Sequence, residues 1–335
     1  DDTLYVERIA YDAKGQRILI AYGNGLMTRY AYDPRTFRLT RLRSERYAQT
    51  PAATYAPLGV ALQDYAYSYD LAGNVLEIRD RTLGSGIRQN PHAATTTDSA
   101  LAQLLASGDA LIRRFTYDPL YRLLSATGRE CDRPAEGDVW LDRPRCTDLT
   151  RTRAYTEHYA YDRMGSLESL EHWNETEGFR RELRLEATNN RVRSMKIGAS
   201  VIPYAFDANG NLVSEGTSRH FEWNHADQLK AFRTQAGSAE PSVHAQYLYD
   251  AAGQRVKKLV RKQGGQVEVT HYIDGVFEHH RWGFGGQMRA NNHVHVMDDE
   301  QRIALTRIGE AHPQDGSPAT QYQLSDEIGS SNVVT

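Results

Sequence analysis

The stretch Tyr204–Gly216 reads YAFDANGNLVSEG, and it contains the pattern that decides the fold of this chain. Two aromatic residues stand two positions apart, an acid follows them, a glycine comes three positions after the acid, and a β-prone run returns. Side chains two positions apart lie on one face of a strand. An Asp that bonds its own turn and a Gly that accepts a positive φ then close the turn. The stretch therefore predicts a β-hairpin.

The same pattern recurs along the chain, which indicates a building unit rather than a single motif. Its acids are Asp12, Asp33, Asp70, Asp118, Asp162, Asp207 and Asp250, with Asn224 as a degenerate member. The aromatic residues directly before these acids are Tyr11, Tyr32, Tyr69, Tyr117, Tyr161, Phe206 and Tyr249. The glycines three positions after the acid are Gly15, Gly73, Gly165, Gly210 and Gly253, and we expect a positive φ at the last four. In two other copies Pro34 and Pro119 follow the acid and preset φ for a turn.

The spacing of the copies supports a repeat with insertions. Asp12 and Asp33 are 21 residues apart, and Asn224 and Asp250 are 26 residues apart. The longer intervals indicate a unit plus an insertion, or two units of which one is eroded. An isolated hairpin is marginally stable in water, so each unit must pair with its neighbours. The prediction is an all-β antiparallel sheet of hairpins, and the alternative is an ordinary β-sandwich with coincidental Tyr-Asp pairs.

Three segments interrupt the repeat without dividing the chain into domains. They span about 84–110, 130–150 and 234–244, and we predict one segment over 1–335. The first offers an N-cap at Thr97 or Asp98, and apolar Leu101, Leu104 and Leu105 follow. This predicts one short amphipathic helix.

Charge and hydropathy exclude some classes of partner. The formal net charge of the 335 residues is −3, which argues against nucleic acid as the main partner. No stretch approaches the roughly 20 apolar residues of a membrane span. The chain opens with Asp1-Asp2, shows no signal peptide and ends on NVVT, so we expect a piece of a longer polypeptide.

Several phrases resemble a known family. The Tyr-Asp repeats are similar to the YD repeats of RHS proteins, and most similar to the B/C components of bacterial Tc (toxin complex) insecticidal toxins and their fused relatives. The phrases are YGNGLMTRYAYDPRTFRLTRLRSER (22–46), YDPLYRLLSATGRE (117–130), RAYTEHYAYDRMGSLESLEHW (153–173) and YLYDAAGQRVKKLV (247–260). The tail, HVHVMDDEQRIALTRIGE (293–310) and TQYQLSDEIGSSNVV (320–334), resembles the segment that leads into the RHS core.

The resemblance implies a fold and a function. It implies that the hairpins form a curved, spiralling sheet, a section of a hollow RHS shell that encapsulates a C-terminal toxin domain. The implied partners are the remainder of the shell, the enclosed toxin and a pore-forming Tc A component or other delivery machinery. The implied location is secreted or on the cell surface of a bacterium. The self-cleavage site of many members would follow Thr335, so no catalytic residue, metal or cofactor is assigned here.

Other functions were weighed from the residues. Five histidines cluster late in the chain, and Asp298 and Asp299 follow them. The histidines are His271, His279, His280, His293 and His295. We interpret them as polar side chains of a strand rather than as metal ligands. Exposed aromatics such as Trp173 and Trp140 would suit a carbohydrate- or protein-binding adhesion module. An Asp-dependent hydrolase is the second alternative, but the place of the acids at turn starts favours a structural role. We predict no enzymatic activity.

The two cysteines form a separate prediction. Cys131 and Cys146 flank one Pro-rich loop, and a secreted protein could bridge them. The alternative is two unpaired thiols in a protein that stays in the cytosol until release.

Overall fold

The computed structural model describes residues 4–49, 54–82, 99, 111–131, 152–174, 177–235, 240–298, 301–326 and 331–335. The elements with defined bounds in these ranges are strands, and they belong to a 24-stranded sheet. In chain order they are β1 (Val6–Tyr11), β2 (Arg17–Tyr22), β3 (Leu26–Tyr32), β4 (Leu39–Gln49), β5 (Tyr55–Tyr69), β6 (Val75–Asp80), β7 (Leu111–Tyr117), β8 (Leu123–Cys131), β9 (Thr152–Tyr161), β10 (Leu167–Asn174), β11 (Gly178–Leu185), β12 (Val192–Ile197), β13 (Ser200–Phe206), β14 (Leu212–Glu215), β15 (Arg219–Trp223), β16 (Leu229–Thr234), β17 (Val243–Tyr249), β18 (Arg255–Lys262), β19 (Gln266–Ile273), β20 (Phe277–Phe284), β21 (Gln287–Asp298), β22 (Gln301–Gly309), β23 (Thr320–Ser325) and β24 (Ser331–Val334).

Strand pairing follows the order of the chain. Each pairing with a described register joins two consecutive strands, and each is antiparallel, as in β3 with β4, β13 with β14 and β17 with β18. This is the pattern of successive hairpins that the repeated phrase predicts. The predicted fold class, an all-β antiparallel sheet built from hairpins, is confirmed.

The chain divides into two compact units, and each is described by itself. Unit 1 contains Asp1–Ala160, Glu171–Gly178 and Tyr322–Thr335, and unit 2 contains Tyr161–Leu170 and Phe179–Gln321. The expectation of one domain over 1–335 stays a prediction.

Unit 1 has an aromatic core beside a buried polar layer. Leu42, Tyr65 and Tyr67 are buried together. On the neighbouring strands, Ser44 Oγ lies 2.7 Å from Thr28 Oγ1 and accepts a 2.9 Å hydrogen bond from Gln63 Nε2. All three polar side chains are buried, and their mutual bonds replace part of those lost to water, while Gln63 Oε1 has no partner among the described residues.

Unit 2 buries both small and large side chains. Ala231, Ala245, Val260 and Ala304 are buried, and so are the larger Ile303, Trp282, Asn291 and His312. A sheet of this kind is stabilised chiefly by its ladders and cross-strand pairs, such as Phe221 with Phe232, whose ring centroids are 5.4 Å apart.

The three predicted insertions fall largely outside the described residues. This applies to the expected helix within 84–110, of which only Ser99 is described, and to most of 130–150. The ends of the third insertion are described. Thr234 Oγ1 lies 2.7 Å from Ser242 Oγ, and the N–H of Ser242 donates to Gln235 Oε1 at 2.9 Å, which closes the base of a loop between β16 and β17.

Candidate functional site

The repeated acids are used inside their own turns. Asp162 Oδ1 accepts hydrogen bonds from the N–H groups of Met164 and Ser166, both at 2.8 Å. The other copies do the same with N–H groups two to four positions ahead: Asp12, Asp33, Asp70, Asp118, Asp207, Asn224 and Asp250. Asn224 accepts two such bonds through Oδ1, because an amide oxygen is an acceptor as a carboxylate oxygen is.

These bonds make the acids poor candidates for proton transfer. The N–H of Ser166 lowers the pKa of Asp162, and the N–H of Thr36 lowers the pKa of Asp33. The N–H of Arg122 lowers the pKa of Asp118 in the same way. A general acid needs a raised pKa, so these three carboxylates lack the property that the hydrolase alternative requires.

The turn glycines adopt the conformation that the sequence predicts. φ is 112° at Gly73, 93° at Gly165, 100° at Gly210 and 83° at Gly253, and the fifth copy, Gly15, has φ of 79°. The predicted positive φ at Gly73, Gly165, Gly210 and Gly253 is confirmed. In each copy the glycine N–H also bonds the carbonyl of the acid, which closes the turn.

In every copy with a described register, the aromatic residue before the turn lies at a β-bulge, which the sequence analysis missed. Tyr11 pairs with Arg17, Tyr32 with Leu39, Tyr69 with Val75, Phe206 with Leu212 and Trp223 with Leu229, and each register shifts by one residue at that point. A bulge re-aims the side chain and increases the local twist. The aromatic side chain is thereby directed toward the preceding hairpin.

The polar tips of these aromatics form a ladder between hairpins. Tyr32 Oη donates to the carbonyl of Arg17, the residue that pairs with the aromatic of the preceding copy. The same relation holds for Tyr69 to Leu39 (2.7 Å), Tyr117 to Val75 (2.9 Å), Trp223 Nε1 to Leu212 (2.8 Å) and Tyr249 to Leu229 (2.9 Å). We call this set the aromatic ladder. It explains why Tyr, with its hydroxyl, serves this position better than Phe.

Phe206 lacks a hydroxyl, and an arginine bonds the carbonyl of the acid that follows it. Arg191 Nη1 donates to the carbonyl of Asp207 at 3.3 Å, and its guanidinium lies 5.9 Å from the ring centroid of Phe206. Arg38 has the same position before Asp70, with a 2.6 Å bond to the carbonyl of Asp70.

The comparison with Arg38 identifies a repeat copy that the sequence analysis missed. The N–H of Glu186 bonds the carbonyl of Arg191, as that of Asp33 bonds the carbonyl of Arg38. Glu186 therefore opens an eroded turn between Asp162 and Asp207, and this long interval contains two units. The signal in the sequence was an arginine five positions after an acid.

The late histidines lie on two faces of the sheet in unit 2. His271 and His279 pair across β19 and β20 and stack with centroids 6.2 Å apart. His280, His293 and His295 lie on the other face, where His293 is 3.6 Å from Asp315 and His295 is 3.2 Å from Glu278. The acids beside His293 and His295 are therefore not the Asp298 and Asp299 that follow in sequence, and Asp299 lies outside the described residues.

His280 has two partners that no local pattern indicated. Glu268 on β19 and His312, in the loop after β22, each place one potential ligand atom within 4.8 Å of the other two. Trp282 borders this group, with its ring centroid 5.1 Å from that of His280 and 5.0 Å from that of His312. The three side chains are buried or half-buried.

The remaining predicted residues are less informative. Trp173 is 55% exposed, as a binding aromatic would be, whereas Trp140 lies outside the described residues. Cys131 ends β8 and Cys146 lies outside the described residues, so their bridge stays a prediction. In the described ranges, no helix has the length and apolar character needed to cross a membrane.

Comparisons with known proteins agree with this architecture. No protein-family model matches the chain. The chain is 27% identical over 276 residues to "Toxin subunit YenC1" and 25% identical over 327 residues to "Toxin subunit YenC2", both of Yersinia entomophaga. These alignments cover 81% and 95% of this chain but 26% and 31% of the relatives. A third relative, "Probable deoxyribonuclease RhsB" of Dickeya dadantii, is 27% identical over 84% of this chain and 16% of its own length.

Solved structures show the same fold. The structure described as TcdB2-TccC3-TEV superposes with a TM-score of 0.77 over 99% of this chain, at 22% identity. The structure described as TcdB2-TccC3-Cdc42 gives 0.76 over 98%, and in both cases this chain covers 15% of the larger one. In its repeated hairpins, its antiparallel sheet and its sequence, the chain is similar to RHS proteins and to the B/C components of Tc toxins.

Proposed function

We propose that this chain is a structural segment of a shell that encapsulates the C-terminal toxin domain of a secreted bacterial toxin. The observation that carries the proposal is the aromatic ladder together with the turns. The recurring acids close the turns and the recurring aromatics bond neighbouring hairpins, so the repeat has a structural explanation. A wall made of repeated units grows by nearest-neighbour contacts of this kind.

The relatives support the same role. Two of them are named toxin subunits, and this chain aligns with less than a third of their length, as one section of a larger body would. The partners that we propose are the remainder of the shell, the enclosed toxin domain, and a pore-forming Tc A component or other delivery machinery. We propose that the protein is secreted or displayed on the bacterial surface.

A non-enzymatic role is part of the proposal. Every described carboxyl group with a shifted pKa has a lowered one, Glu278 among them, where the hydrogen bond from His295 is the largest cause. A hydrolase with paired carboxylates would need one of them raised. One relative is named a probable deoxyribonuclease, but this chain matches only 16% of the length of that protein.

Exposed Trp173 favours a second candidate, an adhesion module that binds glycan or protein. Binding of the chain to a glycan array, and its loss in Trp173→Ala with an unchanged thermal midpoint, would support that function. An array without signal above background would leave the shell as the proposed role.

The shell is tested by protection of its cargo. The chain, joined to its native downstream region, is treated with protease, and the C-terminal domain is expected to survive under conditions that digest the same domain expressed alone. Denaturing the sheet first should abolish this protection. A C-terminal domain that is digested equally fast in both settings would contradict encapsulation.

A further inference from the structure

We propose that Glu268, His280 and His312 form a binding site for a divalent transition metal ion, with zinc as the best match. The ion would tie the loop at 310–319 to the sheet of unit 2. The three ligand atoms lie within 4.8 Å of one another, and they come from two adjacent strands and one loop. Two imidazoles and a carboxylate are a donor set that zinc accepts, with a fourth position left for water.

The loop is held in place before any ion binds. The N–H of His312 donates to Asp315 Oδ2 at 2.8 Å, and Asn291 Nδ2 donates to the same oxygen at 2.8 Å. Asn291 Nδ2 also donates to the carbonyl of Glu310 at 2.8 Å. Asn291 is 1% exposed, so this anchor is a buried one, and it positions the ring of His312 over β19 and β20.

The imidazole of His312 has an unused nitrogen that is aimed into the cluster. His312 is 6% exposed, and its Nε2 makes no hydrogen bond within the described part of the chain. Its nearest acid oxygen is Glu268 Oε1 at 3.8 Å, which is beyond hydrogen-bond distance. A buried nitrogen without a partner is costly, and a metal ion at this point would satisfy it.

The ring of His280 lies between those of His312 and Trp282. Its centroid is 4.9 Å from that of His312 and 5.1 Å from that of Trp282. The ring of Trp282, 5% exposed, lines one side of the cluster and limits access of water.

Binding must displace existing contacts of Glu268 and His312. Lys262 Nζ lies 2.7 Å from Glu268 Oε1, which also accepts a 3.0 Å hydrogen bond from Gln266 Nε2, so both donors compete with a cation for this oxygen. His312 Nδ1 accepts a 3.2 Å hydrogen bond from the N–H of Gln314, and ligation through Nε2 requires the proton on Nδ1 instead. A tetrahedral ion with bonds of about 2 Å holds its ligands roughly 3.3 Å apart, so the three side chains must also move inward.

The experiment titrates the chain of 335 residues with cobalt chloride and zinc chloride after removal of metal by a chelator. We expect one ion per chain, a visible cobalt spectrum of the tetrahedral type, competition by zinc, and quenching of a fluorescence component that disappears in Trp282→Phe. Affinity should fall at least about tenfold in His312→Ala and in the conservative Glu268→Gln. Lys262→Met should bind more tightly, because the competing ammonium is gone.

His279→Ala is the matched control, because His279 lies on the same strand with its ring on the opposite face. Its affinity should equal that of the unaltered chain. Far-UV circular dichroism verifies that each variant is folded. The proposal is overturned if the unaltered chain binds no stoichiometric cobalt or zinc, if binding survives in His312→Ala, or if Lys262→Met binds more weakly.

Discussion

At the scale of the residue, the copy formed by Tyr69, Asp70 and Gly73 shows how three residues divide the work of the motif. The acid bonds the N–H groups of its turn, the glycine supplies the positive φ, and the aromatic leaves the hairpin to bond the preceding one. The acid and the glycine act locally, so their roles follow from sequence. The aromatic acts across hairpins, and its role depends on the bulge that directs it.

Two turn glycines differ in what a methyl group would meet. A Cβ at Gly15 meets nothing within 4 Å, whereas one at Gly73 would lie 3.0 Å from Arg38 Nη2. We expect Gly15→Ala to lower the free energy of unfolding by about 1 kcal/mol from backbone strain alone. Gly73→Ala should cost more, because Arg38 would also lose its bonds to the turn. Urea midpoints measure both, and equal losses would contradict the role given to Arg38.

The lowered pKa of Asp162 predicts that the chain loses stability as the pH falls. Its pKa is lowered in the folded chain, chiefly by the N–H of Ser166, so its contribution is present above the unfolded pKa of about 4 and is lost as pH falls through the folded value. Asp162→Asn keeps the acceptor without the titration. We expect the urea midpoints of the unaltered chain and of Asp162→Asn to converge as the pH falls from about 5 to about 2. Asp162 takes up its proton in this range, so its contribution to stability is lost there.

The control for this prediction is Glu168→Gln, which removes an exposed charge from the same hairpin without touching the turn. The difference in urea midpoint between Glu168→Gln and the unaltered chain should not disappear over the same pH range. A pH-independent gap for Asp162→Asn would show that the turn does not depend on the carboxylate charge.

At the scale of the element, the hairpin is a unit that is completed by its neighbour. Tyr69 on β5 bonds the carbonyl of Leu39 on β4, and Tyr249 on β17 bonds that of Leu229 on β16. Both bonds start at a bulge and end at the residue that pairs with the preceding aromatic. Stability in such an array is a sum over units and over the contacts between them.

Removing one rung of the aromatic ladder should therefore weaken the contact between two hairpins. We expect Tyr69→Phe to lower the free energy of unfolding by about 1 kcal/mol, because the hydrogen bond to the carbonyl of Leu39 is lost while the ring stays. Tyr11→Phe is the control: Tyr11 belongs to the first copy and is 52% exposed. Chemical denaturation measures the free energy of unfolding of both variants. Equal losses would mean that the hydroxyl of Tyr69 does not stabilise the contact between the two hairpins.

At the scale of the whole molecule, the described residues are a series of hairpins with thin hydrophobic cores. Unit 1 buries Leu42, Tyr65 and Tyr67 together, and unit 2 buries small residues along with Ile303 and Trp282. Polar layers such as Thr28, Ser44 and Gln63 take part in the interior.

The cysteines provide a prediction about the compartment in which the protein matures. If the protein is oxidised after release, a bridge between Cys131 and Cys146 would close a loop of about 15 residues and contribute roughly 3 kcal/mol in the chain-entropy model. Thiol titration of the denatured chain, prepared without reductant, should then find no free thiol. Two free thiols would assign the protein to a reducing environment until release.

The sequence by itself determined the hairpins, because a turn that is opened by Asp and closed by Gly depends on residues two to four positions apart. It also determined the antiparallel class, since short hairpins pair with their neighbours. The tertiary structure decided the rest. The hydrogen bonds of the aromatic ladder, the contact of Arg191 with the turn at Asp207, and the grouping of Glu268 with His280 and His312 join residues that are distant in the chain. Their contacts depend on register and bulges, which a local pattern does not fix.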